Sequence, residues 1–323
     1  MPGFLTHYLG GQAVLARLPE DTRKLIEGDH ARIYNLGTQG PDIFFYYVPG
    51  FMRVRSKGIG SDIHEADFGK FFMETARWVK HETLFAYLAG FLAHYALDTA
   101  CHPFVFAHTQ LKGATSAQES AEHRHFETAV DVLMLARIKG EKPADYKQWE
   151  LIQAPPKHKQ VAAAAFAAAA NKVYGDRRRG GTGDSALLPR DVYHAMGHMA
   201  QLTRMLHSPK GRRKKWAAFL EDKTIGARLL SAMVHMQEVT DGRDYLNLSR
   251  THWHTPWNPS QGSTASFPEL FDAGVGEAVQ MVNGLYAYMQ GTMPRKKLTE
   301  LIGNRSLSTG MDFREGELLT PCE

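Results

Sequence analysis

The chain has 323 residues and a mass of 36.2 kDa, with 43% hydrophobic and 22% charged residues. Those proportions exclude a largely disordered chain, and a net charge of +4 is too mild to imply nucleic-acid binding. Only two cysteines, Cys101 and Cys322, are present, which excludes a disulfide framework and a cysteine-based zinc finger.

The start of the chain, MPGFLTHYLGG, has no basic region followed by an apolar stretch. No signal peptide is read, and a cytoplasmic location is the expectation. No run approaches the roughly 20 apolar residues that a membrane helix needs. Ser61 and Asp62 followed by Glu65 read as a helix start, and Phe68, Phe71, Phe72, Ala76 and Val79 continue at helical spacing. Residues 83–101 are apolar nearly all round and predict a central buried helix, which Pro103 ends just before His102. Further helices are expected over 117–138, 159–174, 190–207, 214–240 and 267–291. No alternating strand pattern stands out. The fold class is therefore all-α, a multi-helix bundle able to hold a site between facing helices.

The organisation expected is one all-α domain over 1–295. Its metal-site half covers about 1–138, a loop-rich insertion about 175–185, and a poorly ordered tail 296–323. The basic runs at 177–179 and 210–215 read as solvated loops.

Histidine is the informative residue: there are 16, and nine precede residue 126. Imidazole is the commonest protein metal ligand. His94 and Asp98 lie four apart in the apolar central helix, so they share one face. Such groups are costly there unless paired or metal-bound, and a structural His–Asp hydrogen bond is the plain alternative. His123 and Glu127 repeat the spacing, with Asp131 one turn further. An exposed intrahelical contact is the alternative for that pair. Two pairs on neighbouring helices supply the inward nitrogen and oxygen donors of a bundle metal site. Zinc suits that donor set, with manganese or iron left open.

The segments GFLAHYALDTACHPF and HRHFETAVD resemble the zinc-dependent phospholipase C family, over roughly residues 3–138. That family includes secreted bacterial enzymes that hydrolyse phosphatidylcholine and the catalytic domain of clostridial alpha-toxin. A fungal zinc nuclease shares the fold group. The resemblance implies two or three zinc ions held by His7, Asp42, His64, His94, Asp98, His102, His123 and Glu127. The secreted relatives also use their terminal amine, which here points to Pro2 after loss of Met1, with a water as the alternative. His108 is the alternative to His102.

The implied function is zinc-dependent phosphoester hydrolysis by a metal-activated water, with Asp98 bridging metals and Asp42 as ligand and catalytic base. A phospholipid or small phosphoester is the implied substrate. Nucleic acid enters only under a nuclease or phosphomonoesterase alternative, and a non-catalytic metal-binding protein is the other rival. The aromatic run 44–51 is expected as core and cavity wall, His194 and His198 as helix-surface residues, and 246–260 as a loop against the site.

Overall fold

Helices supply nearly all regular structure in the computed structural model, which describes residues 3–46, 58–110, 115–182, 186–208, 234 and 236–313. In chain order they are α1 Phe4–Arg17, α2 Glu20–Lys24, α3 Ala31–Gly37, α4 Ile59–Glu65, α5 Phe68–Ala76 and α6 Glu82–Thr109. Next come α7 Ser116–Lys139, α8 Gln148–Ile152, α9 Pro156–Thr182 and α10 Pro189–Leu206. An antiparallel hairpin of β1 Trp253–Thr255 and β2 Asn258–Ser263 precedes α11 Phe267–Met289 and α12 Arg295–Ile302. The fold is the all-α bundle expected, with buried His and Asp groups between its helices.

The axis of the bundle is α6. It lies along α11 and against α3, α1 and α7. By length and composition α6 does qualify to cross a membrane, which corrects the reading from apolar runs, but 94% of its most apolar window is buried against the other helices. That burial marks it as the core helix of a bundle. Its crossing with α3 is a backbone contact. A Cβ on Gly90 would sit 2.2 Å from the Tyr34 carbonyl oxygen, and one on Gly37 would sit 2.2 Å from that of Tyr87. The two glycines let the helix axes approach until main chains touch.

Several local expectations are corrected. Helix α6 runs through Pro103 to Thr109 instead of ending at residue 101. The proline removes the N–H that would bond the Thr99 carbonyl. Gly310, at φ +68°, packs its backbone against that carbonyl, where a Cβ would lie 2.4 Å away. The single helix read over 61–79 is two, α4 and α5, broken at Asp67 with φ 55°. Aspartate tolerates that left-handed conformation better than most residues.

Helix α9 continues to Thr182, so most of the 175–185 insertion is helical, with 183–185 outside the described residues. The expected 214–240 helix falls largely on 209–233, also outside them, and 236–240 are not helical. The hairpin at 253–263 is real strand structure that the sequence pattern did not announce. The expected tail is ordered through residue 313: α12 is a helix, and Leu298, Ile302 and Leu307 are core residues. Residues 314–323 lie outside the description.

Gly90→Ala should test the α3–α6 contact. A methyl forced against a carbonyl with no room to yield should destabilise the fold by about 1–3 kcal/mol. Chemical denaturation reads it, and an unchanged midpoint would refute the close approach.

Candidate metal centre

Eight side chains converge from five segments. His7 comes from α1, Asp42 from the single-turn 3₁₀ segment Gly40–Phe44, and His64 from α4. His94, Asp98 and His102 occupy successive turns of α6, and His123 and Glu127 one turn of α7. They form three groups whose donor atoms lie within 4.8 Å of one another: His7–His94–Asp98, Asp42–His64–His94 and His102–His123–Glu127. Seven of the eight are buried, and only His123 is partly exposed.

Each element is held so that its ligand points inward. Helix α1 has no side-chain cap of its own, and Asp131 of α7 supplies one across the bundle. Its carboxylate accepts the Leu5 N–H at 3.0 Å, the Thr6 N–H at 2.7 Å and the Thr6 hydroxyl at 2.6 Å. The free N–H groups of the first turn, one turn before His7, are thereby satisfied by a negative charge. Gly40, at φ +49°, carries the chain past the His94 ring, where a Cβ would lie 2.3 Å from Cδ2. Only glycine fits both the conformation and the gap.

The imidazole tautomers follow from their partners. The Nδ1 of His64 donates to the Gly60 carbonyl at 2.7 Å, that of His94 to the Thr38 carbonyl at 3.1 Å, and that of His102 to the Leu307 carbonyl. A carbonyl only accepts, so each Nδ1 keeps its proton and each ring, when neutral, presents the Nε2 lone pair to the site. The Thr109 hydroxyl donates to the Val105 carbonyl and so accepts from Nδ1 of His123, 3.3 Å away.

The inward atoms then face one another at close range. Asp98 turns Oδ1 to His7 Nε2 at 3.2 Å, and Oδ2 to His94 Nε2 at 2.9 Å and His64 Nε2 at 3.6 Å. Asp42 Oδ1 lies 3.3 Å from His64 Nε2, and Glu127 Oε1 2.8 Å from His123 Nε2. Yet Nε2 of His7, His64, His94 and His102, Oδ1 of Asp42 and both oxygens of Asp98 make no hydrogen bond. Buried lone pairs that converge on shared points are unfavourable unless a cation sits among them. The donor set of imidazole and carboxylate, with buried Cys101 outside all three groups, fits zinc.

The electrostatics agree. Burial would raise the Asp98 carboxyl, but His94, His102 and His7 around it hold it well below the usual carboxylate range. Burial likewise works against an ionised Glu127, and His123 above all brings it down to about 2. Burial pushes His94, His102 and His123 down, toward the neutral form that a metal needs. His64 goes the other way. Burial opposes its charge, but Asp42 and Asp98 beside it raise it to about 9.

A cavity of about 710 Å³ opens on the centre, bordered by Asp42, His64, His102, His123 and Glu127. His7, His94 and Asp98 lie behind this wall. Phe45, Tyr46, Phe106 and Trp257 supply the aromatic lining, with Glu65, Glu119 and Arg124 as charged neighbours. Trp257 follows β1, which stands against α6, so the 246–260 stretch does reach the site. Of the 44–51 run, Phe44 is core and Phe45 and Tyr46 line the cavity, while 47–51 lie outside the described residues.

His102, not His108, meets His123 and Glu127; His108 bonds the Phe104 carbonyl at 2.8 Å. His194 and His198 enter no metal group among the described residues. Pro2 lies outside them, and Gly3 borders the cavity. Sequence reasoning missed the Asp131 cap and the carbonyls of Thr38, Gly60 and Leu307, none of which has a residue-type signal.

Two outcomes are expected. Asp98→Ala, which removes the carboxylate shared by His7, His64 and His94, should lose at least one metal ion by elemental analysis and stay helical by circular dichroism. Full metal content would sink the shared role. In the metal-free protein His64 is protonated below about pH 9, and a metal needs its neutral form. Zinc added near pH 7.5 should therefore release about one proton from this residue, a release that fades as the pH rises through about 9. Calorimetry in two buffers of different ionisation enthalpy measures it, and equal heats would contradict it.

A family model described as "Zinc dependent phospholipase C" matches residues 6–176, just over half of the chain. Neither the curated proteins nor the solved structures give a significant match. The match runs from α1 into α9, with His7 near its start and every member of the three groups inside it. The chain belongs to the zinc-dependent phospholipase C family.

Proposed function

We propose that the protein is a zinc-dependent phosphodiesterase acting on phospholipid-type phosphoesters. The observation that carries this reading is the set of unmatched Nε2 and carboxylate lone pairs gathered beside a solvent-reachable cavity. Family membership supports the coarser statement, a metal-dependent phospholipase-like hydrolase.

Two or three zinc ions would be held by His7, Asp42, His64, His94, Asp98, His102, His123 and Glu127. Bound zinc supplies Lewis acidity: it makes water acidic enough to ionise near neutral pH and offsets phosphoryl charge. The chain's own residues do the rest. Asp42 lines the cavity, so it can orient the attacking water and take its proton. Backbone acceptors fix the imidazoles of His64, His94 and His102 before substrate arrives, so these rings need no reorganisation during the reaction. Phe45, Tyr46, Phe106 and Trp257 exclude bulk water and offer flat faces to the alcohol portion of the ester. No serine or cysteine nucleophile is required.

The same aromatic wall would stack a nucleobase, which favours a single-strand nuclease or phosphomonoesterase as the second reading. A panel of phosphatidylcholine, single-stranded DNA and a simple phosphomonoester separates the readings. Zinc-loaded protein should cleave the phospholipid fastest, lose activity to a chelator and regain it with zinc. Asp42→Asn should lower kcat by about 10²–10⁴-fold. Zinc binding with no turnover on any of the three would leave a non-catalytic metal protein.

A further inference from the structure

We propose that the C-terminal segment 303–313, well beyond the 6–176 region of the family match, is a positioning strap that ties two of the metal groups together. The inference rests on the metal-centre reading above. The central unit is Leu307. Its N–H donates to the His64 carbonyl at 2.9 Å, and its own carbonyl accepts the Nδ1–H of His102. One residue therefore bonds the main chain of a ligand in the Asp42–His64–His94 group and the ring of a ligand in the His102–His123–Glu127 group.

Ser306 reinforces the grip. Its hydroxyl donates to the same His64 carbonyl at 3.0 Å and accepts the N–H groups of Ser308 and Thr309, each at 3.2 Å. Ser308 also directs its own N–H at that carbonyl, at 3.3 Å, and borders the cavity.

The strap is anchored without help from any metal. Asn304 accepts the Gly69 N–H of α5 at 2.9 Å, and the Arg305 N–H donates to the Tyr95 hydroxyl of α6 at 3.0 Å. The Arg305 guanidinium pairs with Glu277 of α11. The Ser306 N–H closes a turn onto the Met311 carbonyl at 2.9 Å, and Gly310 seats that turn on the Thr99 carbonyl. Leu307 is fully buried. A carbonyl fixed at that many points selects one tautomer of His102 and one ring orientation, which is how an outer hydrogen bond raises metal affinity.

Zinc affinity is measured by competition with a chromophoric chelator, on the full chain. Ser306→Ala and Gly310→Ala should each weaken at least one zinc ion by about 10–100-fold with helicity unchanged. Nitrogen-15 imidazole spectra of the zinc-loaded wild type should show the His102 proton on Nδ1. Wild-type affinity and stoichiometry in both variants overturn the strap and leave the metal centre standing. A His102 proton on Nε2 also overturns it, even if both variants fail to fold. A wild-type chain that binds no zinc overturns the strap and the metal centre together.

Discussion

Three carboxylates and five imidazoles share one buried volume with their lone pairs turned toward each other. In a low-dielectric interior that arrangement repels itself unless positive charge is supplied, either as protons or as metal. The helices around it answer to that constraint. Asp131 spends its charge on the start of α1 and not on a ligand, and Gly40 stands aside for the His94 ring. Gly37 and Gly90 bring α3 close enough for the Thr38 carbonyl to meet His94. Positioning thus comes from main-chain geometry, and charge from the side chains.

The groups differ in access. Asp98, His7 and His94 sit behind the cavity wall, whereas the His102–His123–Glu127 group borders it. A closed site suits a structural ion and an open one leaves room for water and substrate. Because His94 belongs to two groups and Asp98 faces three histidines, the inner and outer positions are mechanically joined.

Much of the centre was legible because its chemistry breaks a local rule. His94 and Asp98 offend an otherwise apolar helix, and His123 and Glu127 repeat the same four-residue spacing. His7, Asp42 and His64 carry no such signal individually and became readable through the family pattern. The acceptors that fix the rings were not legible, since a carbonyl leaves no mark on residue type. The 303–313 segment was misread for a related reason: it is held by Asn304, Arg305, Ser306 and Gly310, without the apolar period that announces a helix. Pro103 misled in the opposite sense, because α6 runs through it to Thr109 and Gly310 packs beside the Thr99 carbonyl that loses its helical donor.

The three ligands of α6 stand at intervals of four residues, which on a helix means about 6 Å of rise per step along one stripe. That regularity makes α6 a ruler with no tolerance for editing. Inserting or deleting a single residue between His94 and His102 would swing one end by about 100° and carry a donor out of the centre. A change of length spares these three donors only where it falls outside residues 94–102. The measured part of the molecule is α6, and the donors of α1, α4 and α7 are set against its graduation.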